Sequence, residues 1–139
     1  MQASPLFHCR IANAIDQLPL ILDGLEQACT AHGWDPALHM QLALVVEELV
    51  VNAASYGGRA PGEGWVSVRI DAASNGVRIV IEDNGNAFDP FSAAEPDVGL
   101  DLDSRAIGGL GVHFVREMTD EQTYERVEGV NRVTLFKVC

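Results

Sequence analysis

The sequence predicts an α/β sandwich, in which three helices cover one face of a mostly antiparallel mixed sheet of about five strands. Apolar residues recur at helical spacing in three segments and alternate with polar residues in about five shorter ones. Turn sequences join the strands in pairs, and the helices are grouped between those pairs. This order is expected of helices packed on an antiparallel sheet, whereas a parallel sheet would alternate strand and helix along the chain.

The composition predicts a single globular domain over residues 1–139, since 47% of the residues are hydrophobic and the length suits one core. The net charge of −11 comes from 20 acidic and 9 basic residues. Such a chain repels phosphate backbones, so we expect a basic protein partner and no nucleic-acid binding. A bound polyphosphate would need a divalent cation, and no phosphate loop of the GxxxxGK type is present around the sole lysine, Lys137.

The cysteines favour a reducing compartment because they are odd in number, widely separated and form no CxxC pair. They are Cys9, Cys29 and Cys139. The histidines show no metal-ligand spacing. No N-terminal apolar run follows a basic leader, and no stretch approaches the roughly 20 apolar residues of a membrane span. We therefore expect a cytoplasmic protein that does not bind a membrane.

The first half of the chain predicts one strand and two helices. Residues 5–11 alternate apolar with polar side chains, as in a strand at a sheet edge. Pro19, a favoured first-turn residue, opens a helix that Gly33 ends. Asp35 caps a second helix, which carries apolar residues at three- and four-residue steps and ends near Gly57. Those apolar residues are Leu42, Val45, Val46, Leu49, Val50 and Ala53.

The second half predicts two hairpins separated by a long loop and a third helix. Ser74-Asn75-Gly76 is a strong hairpin turn, and residues 128–131 form the second turn. The four strands occupy residues 65–70, 77–81, 121–127 and 132–138. Between the hairpins, residues 84–107 are irregular and rich in Asp, Pro and Gly, which is typical of a lid, and a helix follows over residues 112–118.

Glu48 and Asn52 lie four residues apart in the second predicted helix, so their side chains project side by side, away from its apolar face. A carboxylate and a carboxamide placed in this way are either a solvated pair or a general base beside a metal ligand. The pair alone leaves both interpretations open. Two later motifs favour the second one.

Asp83 and Gly85 belong to the segment DNGNAFDP, which follows an apolar strand. A carboxylate at a strand end can accept a hydrogen bond from an exocyclic amine, and a glycine lets the backbone approach a flat ring. The same residues also fit a plain Asp-Asn-Gly turn.

A glycine-rich turn opens the third helix. It consists of Gly108, Gly109, Leu110 and Gly111. Free amides at a helix N-terminus bind phosphate, and glycines allow the anion to come close. The alternative is a hinge or a tight packing turn. Arg105, just before the turn, either reaches a phosphate or is a solvated residue of the lid.

In their order and spacing, the three motifs together resemble the GHKL ATPase superfamily. The string DNGNAFDP, the GGLG form of the glycine turn and the compact length are most similar to its anti-sigma-factor serine kinases. The resemblance extends from about Leu18 to the C-terminus. It implies a Bergerat-type ATP-binding fold, ATP and Mg²⁺ as cofactors, and phosphorylation of a serine on an anti-anti-sigma partner. It also implies binding of a sigma factor and suggests a homodimer.

The resemblance implies a role for each motif residue. Asn52 would bind Mg²⁺ through its side-chain oxygen, and Glu48 would take the proton from the attacking hydroxyl. Asp83 would hold the adenine amino group, with Gly85 beneath the base. Residues 84–107 would close as the lid. The positions implied to contact phosphate are Arg105, Gly108, Gly109, Leu110 and Gly111.

Some features depart from the family pattern. Tyr56 stands where the family often has a histidine, which leaves the ribose or phosphate contact there undefined. The lid also carries carboxylates, which repel phosphate if they face it. They are Glu95, Asp97, Asp101 and Asp103. Glu47 points about 100° away from Glu48 around the helix, so we do not expect it to be the base.

Other functions remain open at the sequence level. One is a module that binds ATP and a partner without phosphoryl transfer, and another is a detached catalytic module of a histidine kinase. A complete sensor histidine kinase is not expected, because no histidine-bearing helical hairpin precedes the domain. Glu48 favours the serine kinase, since a binding module needs no base. A regulator that has lost ATP altogether predicts that Asp83→Asn has no effect.

Overall fold

The computed structural model describes residues 5–60, 62–92 and 109–138, and its elements follow the predicted order. The strands are β1 (Phe7–Ala12), β2 (Trp65–Ala73), β3 (Gly76–Asp83), β4 (Glu121–Val127) and β5 (Val130–Val138). The helices are α1 (Leu18–His32), α2 (Pro36–Tyr56) and α3 (Gly109–Met118). A 3-10 turn, Ile15–Gln17, precedes α1. The predicted α/β sandwich is confirmed.

The five strands form one sheet in the order β1-β2-β3-β5-β4, and every neighbouring pair is antiparallel. Two hairpins account for β2–β3 and β4–β5. The antiparallel β1–β2 pair follows from its connection, because two successive helices return the chain in the direction opposite to β1. The prediction of a mostly antiparallel sheet is confirmed, and the described strands include no parallel pair.

One hydrophobic core fills the space between the sheet and the helices. Alternate residues of the three central strands point into it: Val66, Val68, Ile70, Val77, Ile79, Ile81, Val133 and Leu135. Five residues of the predicted apolar face of α2 are also buried: Leu42, Val45, Val46, Leu49 and Val50. This packing fixes the rotation of α2 about its axis and thereby the direction in which Glu48 and Asn52 project.

By length and composition alone, the 21-residue α2 is apolar enough to cross a membrane, contrary to the sequence-based expectation. In this fold α2 is a core helix whose apolar side chains contact the sheet and the neighbouring helices. The high apolar content therefore reflects its central position in the domain, and it is no clear sign of a membrane span.

The ends of the first two helices follow the predicted local signals. The Asp35 carboxylate accepts a hydrogen bond from the Ala37 N–H at 2.7 Å and caps α2. Gly33 ends α1 in the left-handed region, with φ of 76°. The third helix begins earlier than predicted, at Gly109, so the backbone of Gly109 to Gly111 forms its first turn.

The predicted turn at residues 128–131 is wrong in its length. Only Glu128 and Gly129 form the turn, with φ of 51° and 80°, and β5 already begins at Val130. A two-residue turn with both residues in the left-handed region matches the twist of the flanking strands. As a consequence, Asn131 is a strand residue and pairs with Asp83 across the β3–β5 ladder.

Candidate functional site

The buried Asn52 and the half-buried Glu48 form a polar pair on α2. The Asn52 side chain is only 3% exposed. Burial raises the pKa of the Glu48 carboxyl; a hydrogen bond with the Asn52 side chain lowers it, and the nearby Glu47 carboxylate raises it further. Within the described part of the chain, Glu48 Oε1 and Asn52 Oδ1 are buried without a hydrogen-bond partner.

Two unpaired buried acceptors one helical turn apart point to ligands that supply donors or positive charge, because an unsatisfied buried acceptor costs about 1–3 kcal/mol. The free carboxamide oxygen of Asn52 is a hard oxygen donor of the kind that Mg²⁺ prefers. The described residues contain no cluster of three or more metal-ligating His, Cys, Asp or Glu side chains. One side-chain oxygen supplemented by phosphate oxygens and waters therefore fits Mg²⁺ better than a cation held by protein ligands alone.

Asp83 ends β3 with its carboxylate held in a fixed orientation. Its Oδ1 accepts hydrogen bonds from the Gly85 N–H at 2.9 Å and from the Asn131 side-chain amide at 3.0 Å. Burial raises the pKa of the Asp83 carboxyl, whereas these two hydrogen bonds and the charge of Arg126 act in the opposite direction. Both of these bonds use Oδ1, so Oδ2 can accept a hydrogen bond from a ligand.

Asn131 was missed by the sequence reasoning and is the centre of the hydrogen-bond network around Asp83. It is 2% exposed. Its amide donates to Asp83 Oδ1 and, at 2.8 Å, to the backbone oxygen of Asn86. Its own oxygen accepts from the Tyr124 hydroxyl at 2.5 Å and from Arg126 Nη1 at 3.0 Å. Asn131 thus joins β3, β4, β5 and the loop after β3 at one point.

Gly85 packs directly against the end of α2. A Cβ at Gly85 would lie 2.5 Å from Gly57 Cα and 2.8 Å from Gly57 O. The Asn86 N–H also donates to the Gly57 oxygen at 2.7 Å. This contact couples the Asp83 loop to the helix that carries Glu48 and Asn52, and it requires a glycine whether or not a ligand approaches the same position.

We expect Gly85→Ala to lower the free energy of unfolding by about 2 kcal/mol, because backbone atoms would have to separate to admit the methyl group. Urea denaturation measures this change. Ala87→Ser is the matched control: it adds one atom at an exposed position of the same loop and should change stability by less than about 0.5 kcal/mol. Equal stability of the two variants would contradict the packing argument.

The structure places three of the motif residues, Glu48, Asn52 and Asp83, along two adjacent depressions. One is a pocket whose lining includes Asn52, Asp83 and the loop residues Phe88 and Pro90. The other is a groove between α2 and α3, to which Glu48 contributes. Because Glu48 and Asn52 contact each other, their pair forms the boundary between the pocket and the groove.

The loop after β3 is anchored on both sides of the pocket. The Tyr56 ring stacks on Phe88, with centroids 4.9 Å apart and planes 19° apart. Tyr56 therefore supports the loop in this conformation. On the far side, Arg116 of α3 donates to the Phe91 backbone oxygen and lies over its ring.

Several predictions fall on residues 93–108, which lie outside the described residues. They concern most of the lid and the roles of Arg105 and Gly108. The lid carboxylates Glu95, Asp97, Asp101 and Asp103 belong to the same stretch. Gly109, Leu110 and Gly111 are described as backbone only, in the first turn of α3.

Comparison with known proteins agrees with this architecture. The sequence model of the histidine kinase-like ATPase domain matches residues 11–137. The chain is similar to the serine/threonine-protein kinase BtrW of Bordetella bronchiseptica, with 28% identity over 80% of this chain and 78% of that protein. It is also similar to the serine-protein kinase RsbW of Bacillus velezensis, with 28% identity over 64% of this chain and 58% of that protein.

A solved structure supports the fold alone. It is the histidine kinase domain of a blue-light-activated histidine kinase from Erythrobacter litoralis, with a TM-score of 0.54 and 16% identity over 99% of this chain and 64% of that chain. The predicted resemblance to the GHKL superfamily, and within it to the anti-sigma-factor serine kinases, is confirmed by the family match and the relatives together. The chain belongs to the histidine kinase-like ATPase domain family.

Proposed function

We propose that the protein is an ATP- and Mg²⁺-dependent kinase that phosphorylates a serine of an anti-anti-sigma partner and also sequesters a sigma factor. The observation that carries the proposal is the pair of unpaired buried oxygens, Glu48 Oε1 and Asn52 Oδ1, at the boundary between the pocket and the groove. A binding module would gain nothing from a desolvated carboxylate at this point. A kinase needs a base there that can reach an incoming hydroxyl.

In the proposed reaction, Asp83 accepts a hydrogen bond from the adenine amino group, and Asn52 lies on the side of the pocket towards Glu48. When bound through Asn52, Mg²⁺ would neutralise charge on the phosphate oxygens. Glu48 accepts the proton of the serine hydroxyl. The serine oxygen forms a bond to the γ-phosphorus, the bond between that phosphorus and the β–γ bridging oxygen breaks, and ADP leaves with the electron pair.

The phosphate contacts of this proposal use the backbone at the start of α3. The first turn of a helix has unpaired N–H groups, and two of its residues here are glycines, Gly109 and Gly111. Arg105 and Gly108 complete the proposed phosphate site. The chain's net charge of −11 is consistent with a protein partner that carries basic residues, and we propose that the kinase works in the cytoplasm.

Calorimetric titration with ATP and ADP, with and without Mg²⁺, tests the nucleotide site. We expect Mg²⁺-dependent binding that Asp83→Asn weakens by about 10- to 100-fold, because a charged acceptor for the adenine amine is lost. Asp23→Asn, an exposed residue of α1, is the control for charge removal and should leave the affinity unchanged. If the folded wild-type protein binds neither nucleotide, or if Asp83→Asn binds as well as wild type, the proposal is wrong.

A further inference from the structure

As far as the described residues line it, the groove between α2 and α3 is apolar apart from one carboxylate. It is lined by Leu44, Val45, Glu48, Phe114, Val115 and Met118. Leu44 and Phe114 are 48% and 55% exposed, and Met40, one turn before Leu44, is 64% exposed. Large apolar side chains that remain this open on two facing helices indicate a surface that binds something apolar.

Glu48 makes the groove more than an apolar surface. Among the described lining residues it is the only polar one, and within that part of the chain its Oε1 is buried without a hydrogen-bond partner. Such an atom needs a hydrogen-bond donor, and a hydroxyl is a donor that carries no charge of its own. A free phosphate group is a poorer occupant of the groove than a neutral hydroxyl, because the described lining residues offer no cation to offset its repulsion by the same carboxylate.

The margins of the groove are acidic. Glu47 is an exposed residue of α2 whose charge acts on Glu48. On α3, Glu117 lies three residues after Phe114, one turn along the helix. Its side chain is 67% exposed, and its Oε1 lies 3.7 Å from His113 Nε2 on the same helix. Two exposed carboxylates on opposite margins favour an occupant with basic residues at its ends.

We propose that this groove docks the phosphoacceptor segment of the protein substrate, and that this segment carries bulky apolar side chains beside its serine and basic side chains further out. The proposal rests on the kinase function proposed above and adds a substrate class to it. Apolar side chains of the segment would cover Leu44, Phe114 and Met118, and this burial would bring the serine hydroxyl to Glu48 Oε1. The groove thereby selects which serines reach the base.

Three synthetic nonapeptides with one central serine test the proposal. One has leucines beside the serine and arginines at both ends, one has glycines with the same arginines, and one has leucines with terminal aspartates. Each is titrated into the ¹⁵N-labelled full chain, with and without ADP and Mg²⁺. We expect the leucine–arginine peptide to shift the amide signals of Leu44, Glu48, Phe114 and Met118, and to bind at least about tenfold more tightly than the glycine peptide.

Variants separate docking from nucleotide binding. Phe114→Ser should lower the affinity for the leucine–arginine peptide by about fivefold or more, while the affinity for ATP changes by less than about twofold. Leu20→Ser removes an equally exposed apolar residue of α1 and should change neither affinity. A parallel loss of ATP affinity in Phe114→Ser would overturn the proposal, because the groove would then belong to the nucleotide site.

The outcomes distinguish the docking proposal from the kinase proposal. Equal binding of the leucine and glycine peptides, or signal changes away from the groove, overturns the docking proposal. If all three peptides are phosphorylated equally, the kinase function stands and the docking proposal falls. If the leucine–arginine peptide binds in the groove but receives no phosphate from ATP, the groove is a docking site and the protein is not the kinase proposed.

Discussion

Replacing Glu48 with glutamine is expected to lower phosphoryl transfer to a serine-bearing protein by about 10²- to 10⁴-fold, the range that general base catalysis contributes. The amide keeps the size of the carboxylate but cannot take a proton. ATP affinity should stay within about twofold, because Glu48 lines the groove and the proposed nucleotide contacts are made by other residues. Incubation with γ-labelled ATP and the partner protein measures the transfer.

The pH dependence of transfer gives a second measure of the same role. Burial raises the pKa of Glu48, so the base becomes protonated at a higher pH than an exposed glutamate does. The rate at saturating ATP should therefore fall as the pH is lowered through this raised pKa. In Glu48→Gln the residual rate should lose that dependence, because no ionisable group remains at the position.

Two other glutamates serve as controls. Glu26→Gln removes one negative charge at an exposed position of α1, a different helix from the one that carries Glu48, and should leave phosphoryl transfer unchanged. Glu47→Gln removes the neighbouring carboxylate, whose charge contributes to the raised pKa of Glu48, and should have a much smaller effect than Glu48→Gln. Transfer that persists in Glu48→Gln and disappears in Glu47→Gln would assign the base to Glu47.

The parts of this fold that depend on local interactions could be predicted from the sequence. The cap of α2 at Asp35 and the end of α1 at Gly33 depend on hydrogen bonds and dihedral angles within a few residues. The turn at Ser74 and Asn75 is equally local. Both strands that flank it were predicted, although β2 extends to Ala73 and β3 already begins at Gly76, so each is longer than predicted. The helical spacing of Glu48 and Asn52 was also sufficient to bring their side chains together.

The features that could not be predicted from the sequence depend on contacts between segments that are distant along the chain. The position of β5 between β3 and β4 has no local signal, and it is this position that places Asn131 opposite Asp83. Asn131 alternates in phase with the buried Val133 and Leu135, so a polar residue at a core-facing strand position was the available clue. The sequence analysis placed it in a four-residue turn over residues 128–131, whereas the turn consists of Glu128 and Gly129 alone. The α2–α3 groove also had no counterpart in the sequence pattern.

Asn131→Leu is expected to be the most destabilising single change at the site, lowering the free energy of unfolding by about 3 kcal/mol. Leucine has a similar size but offers no hydrogen bond. The Asn86 oxygen and the Tyr124 hydroxyl would each lose a partner. Asp83 Oδ1 would lose the amide of Asn131 and keep the Gly85 N–H. Such a loss is a large fraction of the total stability of a domain this size.

The same substitution should weaken ATP binding beyond the effect of stability alone. The hydrogen bond from Asn131 lowers the pKa of Asp83, so its removal raises that pKa further and protonates more of the carboxyl as the pH falls. ATP affinity of the folded variant should therefore decline more steeply below neutral pH than that of wild type.

Urea denaturation and calorimetry at several pH values measure the two effects. Thr134→Ala, at a half-buried position of the same strand, leaves the side chain of Asn131 unchanged and is the control. Wild-type stability together with a wild-type pH profile would show that Asn131 does not hold Asp83 in its acceptor state.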